Sequence, residues 1–171
     1  MNNTKIEIGK TKNIGGEEFI ILDVLENGVL CLSKDFAYTN TMFDGNSNNY
    51  ANSSIRKRLN TEYLKKIADA VGEENILETE IDLTSDDGLD DYGKVTDKVG
   101  LLTIDMYRKY NRIIEKYPVN DWWWLSTPWS TPHRGYSYTV RCVYLSGALN
   151  GDGCDGRSGV RPFLIFSASI F

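Results

Sequence analysis

"NDWWWLSTPWSTPHRGYSYTV", residues 120–140, holds all four tryptophans, the single histidine and two of the ten tyrosines of the chain. Such a cluster can be core, ligand platform or catalytic pocket. As a strand, "DWWWLS" sends Trp122 and Trp124 to one face and Trp123 and Leu125 to the other. At least one of those faces must be core, because burying a large aromatic side chain contributes roughly 1.5–3 kcal/mol that a wet one forfeits. Trp123 and Trp124 are therefore read as scaffold. Trp129 follows Pro128 among serines and threonines, which predicts a surface position.

The loop "STPHRGYSY" (130–138) carries His133, a residue type suited to general-base or ligand work. No carboxylate neighbours it in sequence, which favours an exposed, uncatalytic histidine. Ser126, Ser130 and Ser137 show no nucleophile-elbow context. No catalytic residue, metal ligand or cofactor is assigned. Downstream, "YSYTVRCVYLSG" (136–147) alternates Tyr136, Tyr138, Val140, Cys142 and Tyr144 against Ser137, Thr139, Arg141, Val143 and Leu145. The glycine-rich "ALNGDGCDGRSG" (148–159) has no phosphate-loop order and no helix after it, so it reads as a long hairpin turn. Its Asn150, Asp152, Asp155 and Arg157, with the neighbouring tyrosines, have the composition of an adaptable binding surface. In "GVRPFLIF" (159–166), Arg161 is expected to be buried and paired with a carboxylate, and Pro162 suits an edge strand or a bulge.

Upstream, "EEFIILDVLENGVLCLS" (17–33) reads as a hairpin, with Asn27-Gly28 favouring a type I′ turn. Residues 35–54 read as loop. Ser53 or Ser54 caps a helix to residue 71, with an apolar stripe of Ile55, Leu59, Leu64, Ile67, Ala68 and Val71, a break near Asn60-Thr61, and Gly72 as its stop. "NILETEIDL" (75–83) alternates as one strand. The acidic stretch 84–98 reads as a loop, either solvated or binding calcium, although the order of a calcium-binding hand is missing. "VGLLT" (99–103) is a strand whose Thr103 caps a second helix to residue 117, with Met106, Tyr107, Tyr110, Ile113, Ile114 and Tyr117 on its apolar face. This order predicts an α+β fold over residues 1–171 as a single domain: an N-terminal hairpin at 17–33, helices near 53–71 and 104–117 on small antiparallel sheets, and a β-rich part at 121–171.

Composition limits the function. A net charge of −5 and a pI near 4.9 leave no basic face for sequence-independent nucleic-acid binding. No apolar run approaches the roughly 20 residues of a membrane helix. "MNNTKIEIGK" lacks the apolar core of a secretory signal, so synthesis and folding in a cytoplasm are expected. Three cysteines, Cys31, Cys142 and Cys154, are too few and too scattered for a disulfide framework or a zinc site.

"WWLSTP" (123–128), then Gly147, then "GVRPFL" (159–164) resembles the C-terminal signature of a bacterial and phage family of unknown function. That family typically reads Trp-Trp-Leu-Arg-Ser-Pro, a variable stretch and Gly-Val-Arg-Pro. "FIILDV" (19–24), "SSIRKRLN" (53–60) with Arg56 and Leu59-Asn60, and "DKVGLLTIDMYRKY" (97–110) fit in the same order. Ser126 stands where the family has arginine, and Tyr50 where it has tryptophan, so the resemblance bears on the fold more than on a shared pocket there. Such proteins look like the C-type-lectin-like superfamily, which includes formylglycine-generating enzymes and variable ligand-binding proteins diversified by retroelements.

The resemblance implies a C-type-lectin-like fold, with ligand-facing positions between the tryptophan motif and the Gly-Val-Arg-Pro motif, here 129–158. The candidate contacts are Trp129, His133, Arg134, Tyr136, Tyr138, Arg141, Tyr144, Asn150, Asp152, Asp155 and Arg157. The expected role is a non-enzymatic binding module of a phage or prophage, displayed on the virion after assembly in the host cytoplasm and binding a host-surface glycan or protein. The alternatives are a capsid-decoration or baseplate protein contacting other virion proteins, and a formylglycine-generating-like oxidase using Cys142 and Cys154, whose surroundings do not match that chemistry. A bacterial cytoplasmic location and a homo-oligomer stay open; nucleic acid and membrane are not expected partners. The calcium-dependent sugar motifs of true lectins are absent, so any sugar would be bound without calcium.

Overall fold

The structure, a computed structural model, describes residues 6–171. Its strands and helices run β1 (Thr11–Ile14), β2 (Glu17–Val24), β3 (Val29–Ser33), β4 (Tyr38–Thr41), α1 (Ser54–Arg58), α2 (Leu64–Val71), β5 (Ile76–Leu77), β6 (Thr79–Asp82), β7 (Lys94–Asp97), β8 (Val99–Leu101), α3 (Ile104–Ile114), β9 (Trp123–Pro128), β10 (Thr139–Val143), β11 (Leu149–Gly153), β12 (Ser158–Val160) and β13 (Pro162–Phe166). The class is α+β, mostly sheet. One sheet has the order β1-β2-β3-β13-β5, with β8 also paired to β13; a second has the order β11-β10-β9-β12-β4; β6 and β7 form a separate hairpin. The sheets are not purely antiparallel, because β12 pairs in parallel with β9 at Gly159 and Trp123. Among the described residues no helix is long and apolar enough to cross a membrane.

Strands β3, β9 and β13 are buried along their whole length, so each is covered on both faces. β3 and β13 are accordingly apolar runs rather than alternations, whereas β9 buries Ser126 and Thr127 after its apolar half. The passage from β12 to β13 is the "SGVRPFLIF" segment, which leaves one sheet and enters the other with Arg161 between the two strands. Gly159 is required at the crossing: a Cβ there would lie 2.4 Å from the Phe36 ring. Pro162 lies on neither an edge nor a bulge. It is the first residue of the interior strand β13, opposite Leu101, where an absent N–H is tolerated.

α1 and α2 are joined by a widened π-helical turn, Leu59–Tyr63, at the expected break. Ser53 caps α1 by accepting from Arg56 N, and Gly72, with φ +85°, ends α2. The widened turn rotates the buried face, so Tyr63 joins Ile55, Leu59 and Ile67 in the core while Leu64, Ala68 and Val71 are only partly buried. The Asn60 and Thr61 side chains donate to the carbonyls of Arg56 and Lys57, supplying donors within the altered turn. Asn60 also donates to Val99 O at 2.9 Å and accepts from Val99 N at 3.2 Å, acting as a strand partner for β8. Arg56 forms a two-pronged pair with Asp97 at 2.8 Å. These contacts give "SSIRKRLN" a structural reading.

α3 is held by three tyrosine hydroxyls, each donating to a different segment: Tyr107 to Gly147 O at 2.6 Å, Tyr110 to Asp23 at 2.7 Å and Tyr117, just past the helix, to Gly9 O at 2.7 Å. Five local expectations are corrected. The β2–β3 hairpin forms, but neither Asn27 nor Gly28 has positive φ, so its turn is not type I′. Gly28 serves a close approach instead, since a Cβ would meet Phe166 O at 2.6 Å. Residues 75–83 bend at Glu78 and supply two strands, β5 on the first sheet and β6 on the β6–β7 hairpin. The stretch 84–98 contains β7, and 35–54 contains β4, which pairs with β12. Residues 148–159 are not one turn, because β11 pairs with β10 along its whole length.

Candidate functional site

Beyond Pro128 the chain leaves β9 and makes a loop that returns at Thr139. Its neck is buried: Ser130 is 4% exposed and Thr131 0%. Trp129 N donates to Thr139 O, closing the loop at its base, and Tyr136 N donates to Thr131 O. Asn48, fully buried, spans the gap from the preceding loop. Its amide group donates to Ser130 O and to Thr139 O, both at 3.0 Å, and its carbonyl accepts from the Tyr92 hydroxyl at 2.7 Å. Its backbone N donates to Ser137 O.

The acidic stretch supplies the other half of this lock and is not a free solvated loop. Asp87 accepts from Ser85 Oγ, from Ser130 Oγ at 2.8 Å and from Arg134 Nη1 at 2.8 Å. The Ser85 hydroxyl first, then Ser130 and Arg134, hold its carboxyl below the usual carboxylate range. Asp91 accepts from Thr131 Oγ1. Asp86 lies 3.6 Å from Arg108 and 3.2 Å from Arg141 Nε, the latter off the N–H direction and so Coulombic rather than a hydrogen bond. These carboxylates are occupied by protein donors. Among the described residues no three His, Cys, Asp or Glu side chains converge as a metal site needs.

What the locked loop presents is aromatic. Trp129 is 46% exposed and Tyr136 53%, with ring centroids 5.6 Å apart and a 46° tilt. Tyr138 is also exposed, lies against Gly153 and donates its hydroxyl to Asp155, whose carboxylate pushes the phenol up to about 12. His133 sits exposed in a short 3₁₀ turn, Pro132–Arg134, with no hydrogen bond to the described residues.

The remaining sequence-derived candidates lie on the β10–β11 hairpin and beyond it. Arg141 and Thr139 lie on the side of β10 that faces the Cβ positions of Gly151 and Gly153. Asn150 and Asp152, paired with Cys142 and Val140, are on the other side. Tyr144 lies past the end of β10, packed on Trp122 with ring centroids 4.0 Å apart. Arg157 reaches across to Asn40 O at 3.1 Å. The structure therefore gathers Trp129, His133, Arg134 and Tyr136 on one loop, with Tyr138 and Asp155 adjoining, while Tyr144 packs on Trp122 and Arg157 reaches to Asn40. Asn48, Tyr92, Asp87, Ser130 and Thr131, which build the neck, carry no sequence periodicity that would have singled them out.

Trp123 and Trp124 are scaffold. Tyr107 meets Trp123 edge-on at 5.7 Å, Phe43 meets Trp124 at 5.8 Å, and Trp124 Nε1 donates to Thr41 O at 2.9 Å. Arg161 is buried as expected but without a carboxylate partner. Its Nε donates to Ser33 O at 3.1 Å and its Nη2 to Lys34 O at 2.9 Å, while the guanidinium lies 5.1 Å from the Trp123 ring. Burial lowers its pKa to about 10. All three cysteines are free and buried, and burial pushes the Cys142 thiol up to about 11 and Cys154 upward as well.

A family model described as a domain of unknown function (DUF6273) matches residues 104–168, from the start of α3 through β13. The matched segment thus contains both the sealed tryptophans and the exposed loop. No curated protein and no solved structure matches the chain.

Proposed function

We propose that this protein is a non-enzymatic binding module whose contact surface centres on Trp129, Tyr136 and Tyr138. The observation that carries this reading is the pairing of exposed aromatic rings with a buried, hydrogen-bonded neck. Large apolar rings left in water on a mobile loop would lose binding energy to ordering, whereas rings on a fixed loop engage a partner at little entropic cost. Arg134 and Asp155 beside the rings supply polar contacts. Aromatic faces with polar neighbours suit a glycan or a protein surface. The protonated, buried cysteines, and a His133 with no hydrogen bond to the described residues, favour binding over catalysis.

The finer reading rests on the signature resemblance: a C-type-lectin-like fold in a phage or prophage protein, displayed on the virion and engaging a host-surface glycan or protein. A double substitution, Trp129→Ala with Tyr136→Ala, tests the surface. On a bacterial surface-glycan array and on whole host cells, the variant should lose at least about tenfold in binding, the order of two aromatic contacts, with its unfolding midpoint retained. Binding should persist in EDTA. Undiminished binding by the variant would exclude this surface. Mass spectrometry of purified phage particles tests the virion assignment.

A further inference from the structure

At the end of β10 opposite to the exposed loop, about 17 Å away by strand rise, a cavity of about 80 Å³ opens between α3 and the Tyr144–Gly147 turn. Tyr107, Tyr117, Trp123, Val143 and Gly147 wall it, and Arg161 lines it. That volume suits a body of about four or five non-hydrogen atoms. Arg161 is 1% exposed and carries a full charge. Its Nε and Nη2 are spent on the carbonyls of Ser33, Lys34 and, at 3.5 Å, Tyr117, while Nη1 finds no acceptor among the described residues. No carboxylate reaches it within ion-pair distance, and Asp35 acts on it only at longer range. A buried guanidinium whose Nη1 stays open at the edge of an aromatic-walled void can take one further partner: a planar anion able to accept from the remaining N–H groups.

We propose that this cavity is a binding site for a small free carboxylate, with the carboxylate on Arg161 Nη1 and a short apolar body against Trp123 and Tyr107. A phosphate or other polyanion fits less well, because Arg161 is the single cation lining the cavity and Glu115 stands at its wall. The site is independent of the aromatic surface proposed above.

Acetate, with acetamide as its uncharged isostere, is the probe. In the ¹⁵N-labelled full chain, acetate should shift the Arg161 Nε–H and Trp123 indole resonances saturably. Acetamide should bind about tenfold or more weakly, as losing a charge-assisted hydrogen bond implies. Val143→Leu, which adds a methylene to the wall, should weaken acetate by a similar factor while the Trp129 indole signal stays in place. A linear, unsaturated response, equal for acetate and acetamide, would mean that the void holds water only and would overturn the proposal. Because that comparison uses the unaltered protein, it decides the matter even if the variant misfolds.

Discussion

Trp124 and Trp129 stand on the same short segment, yet one is sealed at 0% exposure and the other stays 46% exposed. Strand geometry does not separate them; what lies on either side does. β9 has β10 and β12 as neighbours, with Tyr107 packed on Trp123 and Phe43 on Trp124. Past Pro128 the loop turns outward, with Trp129 and Tyr136 exposed, and is held from beneath by Asn48, Asp87 and Asp91. The first half is stabilised by buried apolar area, the second by buried polar contacts. Apolar packing is insensitive to proton concentration and costly to truncate, whereas a polar lock yields to loss of a single donor or charge. The two halves should therefore fail under different perturbations.

The largest effect should come from Trp124→Ala, which empties a packed core position and strips Thr41 O of its donor. The expected cost is roughly 3–5 kcal/mol, read as a lowered urea midpoint across the whole chain. A cost near that of a surface substitution would erase the distinction between the halves. Asn48→Ala comes next. It deprives Ser130 O and the Tyr92 hydroxyl of their partner and leaves Thr139 O with Trp129 N alone, for roughly 1–3 kcal/mol. Its signature is local: hydrogen exchange at Trp129 and Tyr136 amides should accelerate while β3 and β13 amides change only by the global loss. Uniform acceleration would show that the neck is not a separate lock.

The same contrast explains what could be read without coordinates. Both helices were legible because their signals are local: Ser53 and Thr103 caps, Gly72 as a stop, and an apolar spacing that even marks the break at Asn60-Thr61. The buried tryptophans were legible because their size leaves few alternatives. The neck was not, since Asn48 acts on Ser130 and Thr139 across a large gap in sequence, and "NSNNY" looks like any polar loop. The acidic stretch misled for the same reason: its charge suggests solvent or calcium until Arg134, Arg141 and Arg108 are seen beside it. Gly28 shows how a correct element can rest on the wrong cause, a close approach to Phe166 rather than a left-handed turn. Arg161 is a similar case, buried as the apolar run implies but bonded to carbonyls.

Acidification should loosen the lock from the carboxylate side. Asp87 has its folded pKa held below the ordinary 3.8, by the Ser85 hydroxyl first and then by Ser130 and Arg134. Its stabilisation is complete above 3.8 and is lost as pH falls through and below that value, because the unfolded chain takes up the proton first. With its side chain 29% exposed, the contribution is about 0.5–1 kcal/mol. Asp87→Asn should remove that increment at neutral pH and flatten part of the acid dependence below the ordinary value of 3.8, followed by the Trp129 indole resonance. An unchanged acid profile in the variant would transfer the lock to Asp91 and Asn48 alone.

The smallest effect should fall on the platform itself. Trp129→Ala and Tyr136→Ala should each change stability by no more than about 0.5 kcal/mol, although each deletes a large ring, because those rings cover little of the core. Their 5.6 Å, tilted contact raises the opposite prospect, since buried aromatic pairs contribute roughly 0.5–1.5 kcal/mol beyond area burial. A double-mutant cycle in urea separates the two. Coupling below about 0.5 kcal/mol means the rings touch in passing and each keeps its outer face for a partner. Coupling at the upper end of the aromatic range would make the pair a brace for the loop, and the loss of binding in the double variant would then report a collapsed neck rather than a missing contact.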